Sequence, residues 1–133
     1  MRSFYERGLE ITGRAYNAGV PLVLGTDAGD TYVFYGSGAH DELGELVKAG
    51  LTPAEALRVG TSDAAELLGL GDQYGSVEAG KRADLVLLDA NPLEDIDNVR
   101  RISAVVFGGR LMARAELDAM LSETEARAAD FGN

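Results

Sequence analysis

Gly19-Val20-Pro21-Leu22-Val23-Leu24-Gly25-Thr26-Asp27-Ala28-Gly29 is a short apolar run that stops on an acid and then on glycine. Leu22, Val23 and Leu24 follow one another with no polar alternation, the pattern of a strand covered on both faces, as in a parallel sheet wrapped by helices. Pro21 falls at the strand entrance, where its missing N–H costs least. Asp27 then stands at the carboxyl end of a buried strand, where a charge is costly unless a cation or several donors meet it. Active sites of α/β barrels and open α/β sheets are built at that end of their strands, so Asp27 is the leading candidate for chemistry.

Upstream, Ser3 and Glu6 have capping-box spacing, and Phe4 to Ala18 reads as a helix with Leu9 and Tyr16 facing inward and Gly13 as a weak point. Asn17, Gly19 and Pro21 stop it. The order is helix, tight turn, buried strand, one step of a repeating α/β architecture. A parallel strand needs neighbours, and no other stretch in the first half of the chain supplies them.

Downstream, the loop 28–38 holds Tyr32, Val33, Phe34 and Tyr35 between glycines; such aromatics either line a substrate pocket or pack over the end of a barrel. Ser37 or Gly38 opens a helix with His40, Asp41 and Glu42 in its first turn, acids where the helix dipole favours them. Leu43, Leu46 and Val47 form its apolar stripe, and Gly50 with Leu51 closes it. Thr52-Pro53-Ala54-Glu55 combines an N-cap, proline at the first helical position and a capping-box glutamate, so a helix starts there, with Ala56, Leu57 and Val59 inward. After Gly60, Thr61-Ser62-Asp63 caps another short helix through Ala64, Ala65, Leu67 and Leu68, ended by Gly69. From Gly71 the period changes: a short segment around Val77, a turn at Gly80 to Asp84 and the apolar run Leu85 to Leu88 read as two strands. Ile102 to Phe107 is a third, and Gly108-Gly109 reverses the chain into Arg110-Leu111-Met112. From Arg114 onward Leu117, Leu121 and Ala128 sit among alternating charges, a helix on the surface or on a partner.

Composition bounds the function. The chain has 133 residues, 46% of them hydrophobic, which suits one globular domain. No cysteine is present, so disulfides and cysteine-built zinc sites are excluded. A formal net charge of -10 argues against nucleic acid as a partner. Neither a membrane-length apolar run nor a charged-then-apolar leader is present; no membrane partner is expected, and location is left open with the cytoplasm favoured.

Three stretches resemble the metal-dependent amidohydrolase superfamily, in particular the group related to imidazolonepropionase and the metal-dependent dipeptidases. Gly25-Thr26-Asp27-Ala28-Gly29 is similar to the end of that family's eighth barrel strand, Leu51-Thr52-Pro53-Ala54-Glu55-Ala56-Leu57 to the helix that follows, and Gly75 to Asp89 to the return into its small β-sandwich. Their order and spacing make the resemblance specific, and it covers roughly the last third of a typical member. The fold it implies is α/β: the C-terminal part of a (β/α)8 TIM-like barrel in 1–70, closing strands of a β-sandwich in 71–113 and a C-terminal helix in 114–133. The activity it implies is hydrolysis of C–N bonds in a small amide or dipeptide substrate, with one or two divalent metals, usually zinc. Asp27 matches the acid that binds a metal and serves as general base to the attacking water, later returning the proton to the leaving nitrogen. An acid capping its own turn through backbone donors is the plainer alternative.

The family's remaining ligands, a His-x-His pair, often a carboxylated lysine, and two further histidines, lie upstream of the matched segment. This chain has one histidine. Zinc needs three or four protein ligands, so the expectation is a terminal fragment, inactive alone, whose partner is a missing amino-terminal barrel portion or a second chain. His40 matches a histidine that follows this loop in the group, but as a polar residue on a first helical turn it carries no catalytic assignment. Two other classes stay open. Asp27 and Asp30 together could hold magnesium in a phosphatase-like enzyme, although their spacing is not the usual one. A non-catalytic interaction or oligomerisation domain, pairing its apolar faces with another chain, is the other.

Overall fold

The computed structural model describes residues 3–31 and 33–131, so Tyr32 of the aromatic loop lies outside the described residues. Helix α1 spans Phe4–Asn17, and its start is the expected capping box: the Ser3 amide donates to Glu6 Oε2 at 2.8 Å and the Glu6 amide to Ser3 Oγ at 3.1 Å. Gly13, read from sequence as a weak point, is the buried residue of this helix. A Cβ placed there would lie 2.0 Å from the Ala49 carbonyl oxygen, so α1 crosses the next helix at a contact only glycine allows.

Helix α2 (Gly38–Lys48) ends as its Gly50-Leu51 sequence demands. Gly50 has φ 108°, its amide reaches the Val47 carbonyl at 3.0 Å and the Leu51 amide reaches Leu46 at 3.2 Å, a Schellman motif whose hydrophobic residue, Leu51, is buried. Helix α3 (Pro53–Val59) starts on a second capping box, with the Thr52 amide 2.7 Å from Glu55 Oε2. Helix α4 (Ser62–Leu67) follows without a side-chain cap, because the Thr61 hydroxyl turns back to the Leu57 carbonyl at 2.7 Å.

Leu43, Leu46, Leu51, Ala56 and Val59 from this helical part form the core together with Ile96 and Val99. The last two belong to a 3-10 turn, Ile96–Arg100, in the stretch between the apolar runs Leu85 to Leu88 and Ile102 to Phe107. That turn joins strand β1 (Leu85–Leu88) to β2 (Ile102–Phe107), and Arg100 also pairs with Asp41 of α2 at 2.6 Å. The link between two strands is thus what docks the sheet onto the helices. Strand β3 (Arg110–Ala113) completes an antiparallel sheet of order β1-β2-β3. Phe107 pairs with Arg110 across Gly108 and Gly109, at φ 57° and 80°, the two-residue turn with positive φ at both positions that matches strand twist. The expected strand around Val77 does not form; Val77 is 83% exposed and outside any ladder. Helix α5 (Arg114–Phe131) leaves the sheet with Arg114 donating to the Ile102 carbonyl at 3.0 Å, and its side chains from Asp118 to Asp130 are exposed. Among the described residues no helix is long and apolar enough to cross a membrane.

The organising stretch departs most from expectation. Residues 20–27 join no strand ladder among the described residues. From Pro21 to Ala28 exposure alternates residue by residue, the period of an extended chain with one covered face. Leu22 and Leu24 pack on the helical core, while Val23 is 43% exposed. The expectation of a strand buried on both faces is therefore corrected. The described residues supply the helices that cover one face but no strands to pair with its edges and no layer for the other face, and a strand without neighbours has no ladder to join.

Candidate functional site

Asp27 lies on the bare face, in step with Val23 and Gly25, and is exposed rather than buried. Its backbone has φ 50°, making it the non-glycine residue with positive φ among those described. Aspartate tolerates this left-handed region better than most residues, yet it is an uncommon and mildly strained conformation. Among the described residues the Asp27 carboxylate has no hydrogen-bond partner, so it does not cap its own turn. Its carbonyl does accept the Asp30 amide at 3.3 Å. The Asp30 carboxylate is engaged locally, accepting from the Thr31 amide at 2.6 Å.

The loop after Asp27 is held tightly at one point. Gly29 has φ 107°, its amide donates to the Val33 carbonyl at 3.0 Å, and a Cβ there would lie 2.6 Å from the Tyr35 hydroxyl. Tyr35 and Phe34 are otherwise exposed at 81% and 68%, with the phenol end of the Tyr35 ring brought against the turn. Thr26 packs beside Gly38 at the start of α2, where a Cβ would lie 3.4 Å from the Thr26 Cβ.

Glu42, by sequence an acid suited to a helix start, makes a contact that its position on α2 does not announce. Its Oε1 accepts the Gly25 amide at 3.0 Å, and its Oε2 is buried with no hydrogen-bond partner among the described residues. A buried oxygen without a partner costs about 1–3 kcal/mol, and more when charged. Sequence offered no signal beyond the position of Glu42 on α2, because the contact joins residues far apart in the chain.

His40 lies elsewhere. It lines a cavity of about 560 Å³ between the helices and the sheet, with Leu43, Leu57, Tyr74, Arg82 and Leu88, a cavity that Asp27 does not line. Burial, and then the charge of Arg100, hold the imidazole below its ordinary value of 6.5, against an opposing pull from Asp41. Arg82 stacks over the Tyr74 ring at 5.5 Å, at the sheet side of the same cavity.

A zinc ion takes three or four protein ligands. Among the described residues no group of three or more His, Cys, Asp or Glu side chains is placed to hold one ion. The donors of this chain therefore do not by themselves fit a metal centre; Asp27 offers one carboxylate.

Helix, extended segment ending on an acid, covering helices and a small antiparallel sheet together define part of an α/β barrel with an attached sheet. The chain belongs to the amidohydrolase family, whose family model matches residues 5–112. It is 34% identical over 103 residues to an imidazolonepropionase of Shouchella clausii (strain KSM-K16), a match covering 71% of this chain and 22% of that protein. To an ochratoxinase of Aspergillus niger it is 35% identical over 103 residues, covering 73% of this chain and 20% of the relative. Among solved structures it superposes on molinate hydrolase with a TM-score of 0.71 at 36% identity, over 76% of this chain and 25% of that one. A Xaa-Pro dipeptidase with methionine in its active site gives a TM-score of 0.71 at 33% identity, over 79% and 25%. The chain thus has the fold of one portion of these barrel proteins and spans 20–25% of the length of these four.

Proposed function

We propose that this chain supplies the catalytic carboxylate, Asp27, of a metal-dependent amidohydrolase that cleaves a C–N bond, amide or peptide-like, in a small molecule. The observation that carries the reading is how Asp27 is presented: an exposed acid whose carboxylate has no hydrogen bond among the described residues, held at φ 50° on the bare face of the barrel segment. A mildly strained residue of that kind is stored where function uses it. Family membership and the names of relatives, an imidazolonepropionase and a Xaa-Pro dipeptidase among them, support the bond type.

In this role the Asp27 carboxylate takes a proton from the water that attacks the carbonyl carbon, and returns it to the nitrogen as the C–N bond breaks. A divalent metal, zinc being the expectation, would supply Lewis-acid polarisation of the carbonyl once the remaining ligands were in place. Asp27 is the ligand this chain contributes. The others, and most of the substrate pocket, belong to the partner the reading requires: the rest of a barrel, carried by a longer polypeptide or by a second chain. The face around Val23 is where that remainder would lie, and without it the chain is inactive.

The test is a graft. Residues 5–112 replace the matching segment of the Xaa-Pro dipeptidase, and the purified, zinc-loaded chimera is assayed by chromatography against dipeptides and cyclic amides. Hydrolysis is expected. A folded, metal-loaded chimera that cleaves none of them contradicts the proposal.

A further inference from the structure

Glu42 is a titratable group that the proposed reaction does not use, and its surroundings are unusual. One carboxylate oxygen holds the Gly25 amide at 3.0 Å and the other is buried without a partner among the described residues. Gly25 belongs to a segment with no ladder, so its amide has lost the backbone acceptor that a strand normally supplies. Among the described residues this is the hydrogen bond that ties residues 21–26 to α2; the rest of their attachment is the packing of Leu22, Leu24 and Thr26.

Geometry then carries the contact forward. Gly25 and Asp27 share a face of the extended segment, two residues apart, so an anchor on the Gly25 backbone fixes where the Asp27 carboxylate starts from. Packing of Leu22 and Leu24 sets the depth of the segment against the helices but leaves it free to slide and twist about its axis. A charge-assisted hydrogen bond from a rigid helix removes that freedom. α2 is rigid at this point because Leu43, the next residue after Glu42, is in the core.

We propose that Glu42 is a positioning residue for Asp27, acting through the Gly25 amide. The inference rests on the reading of Asp27 as the catalytic acid for its purpose, but the contact is tested without any activity. Backbone amides of the 133-residue chain are followed by hydrogen exchange and NMR chemical shift in the unmodified protein, E42Q and E42A. The Gly25 amide is expected to be protected in the unmodified chain and in E42Q, which keeps an acceptor at Oε1. In E42A its exchange should accelerate by roughly ten- to a hundredfold, the scale of one charge-assisted hydrogen bond, with a shift change at Asp27 and α2 amides such as Leu46 unmoved.

An unprotected Gly25 amide in the unmodified chain overturns the proposal. So does an E42A variant that leaves the Gly25 exchange and Asp27 shift where they were. Loss of protection throughout α2 in step with Gly25 also overturns it, because Glu42 would then be a residue of the fold only. D27N leaves Gly25 protected if Glu42 acts as argued, so a failure of the catalytic reading of Asp27 is distinguishable from a failure here.

Discussion

Two glycines of α1, five residues apart, should respond to the same substitution with opposite signs. Gly13 sits against the C-terminal end of α2, where an added Cβ would meet the Ala49 carbonyl oxygen at 2.0 Å and the Ala49 carbonyl carbon at 3.2 Å. Carbon and oxygen cannot approach to 2.0 Å, so Gly13→Ala must move α1 away from α2 by about 1 Å, and overpacking of that kind costs about 1–3 kcal/mol. Gly8 has nothing among the described residues within 4 Å of its Cβ position. There Gly→Ala brings only the helix-propensity gain, about 0.5–1 kcal/mol. The same gain partly offsets the clash at Gly13, leaving a net loss of about 1–2 kcal/mol. In urea unfolding followed by circular dichroism, with an m value of about 2 kcal/mol/M, Gly13→Ala lowers the midpoint by about 0.5–1 M and Gly8→Ala raises it by about 0.3–0.5 M. Midpoints that move together, in either direction, refute the argument that α1 docks through Gly13.

His40 gives a pH dependence with a definite sign. Its folded-state pKa is lowered from 6.5, first by burial and then by Arg100, so the unfolded chain binds the extra proton more readily. The stability it contributes is present above pH 6.5 and is lost as pH falls through the folded value, and His40→Gln should flatten the fall in urea midpoint on going from pH 7 towards pH 5. The hairpin turn offers a second check. Gly109→Ala places a Cβ at φ 80° and should cost about 1 kcal/mol in thermal unfolding, while Gly108→Asn at φ 57° should be close to neutral, since asparagine suits that region.

What could be read from sequence was local. Ser3 with Glu6, and Thr52-Pro53 with Glu55, start helices because each cap closes within four residues, so the signal and its partner lie side by side. Gly108-Gly109 set the register of the last hairpin for the same reason. The apolar run at Leu22 to Leu24 was legible as an extended piece but not as a lone one, since a ladder depends on strands that must come from elsewhere. Gly13 looked like a defect because its use depends on Ala49, which only the packing of two helices brings near. Val77 carried a strand composition without a partner strand, and Ile96 and Val99 were hidden in a connection too short to show a period. Asp27 was picked out by its place at the end of an apolar run; Glu42, joined to Gly25 across the fold, had no such mark.

The comparison that tests the account most directly is between Asp27→Asn and Asp30→Asn in the grafted barrel, with kcat/KM measured on the best amide substrate. Asparagine keeps the tolerance of Asp27 for its left-handed backbone and removes the proposed base, so the geometry is retained. Asp27→Asn should lower kcat/KM by about 10²–10⁴-fold, the usual contribution of a general acid–base group, while Asp30→Asn, whose carboxylate accepts from the Thr31 amide, stays near the parent value. An Asp27→Asn barrel as active as its parent would contradict the account.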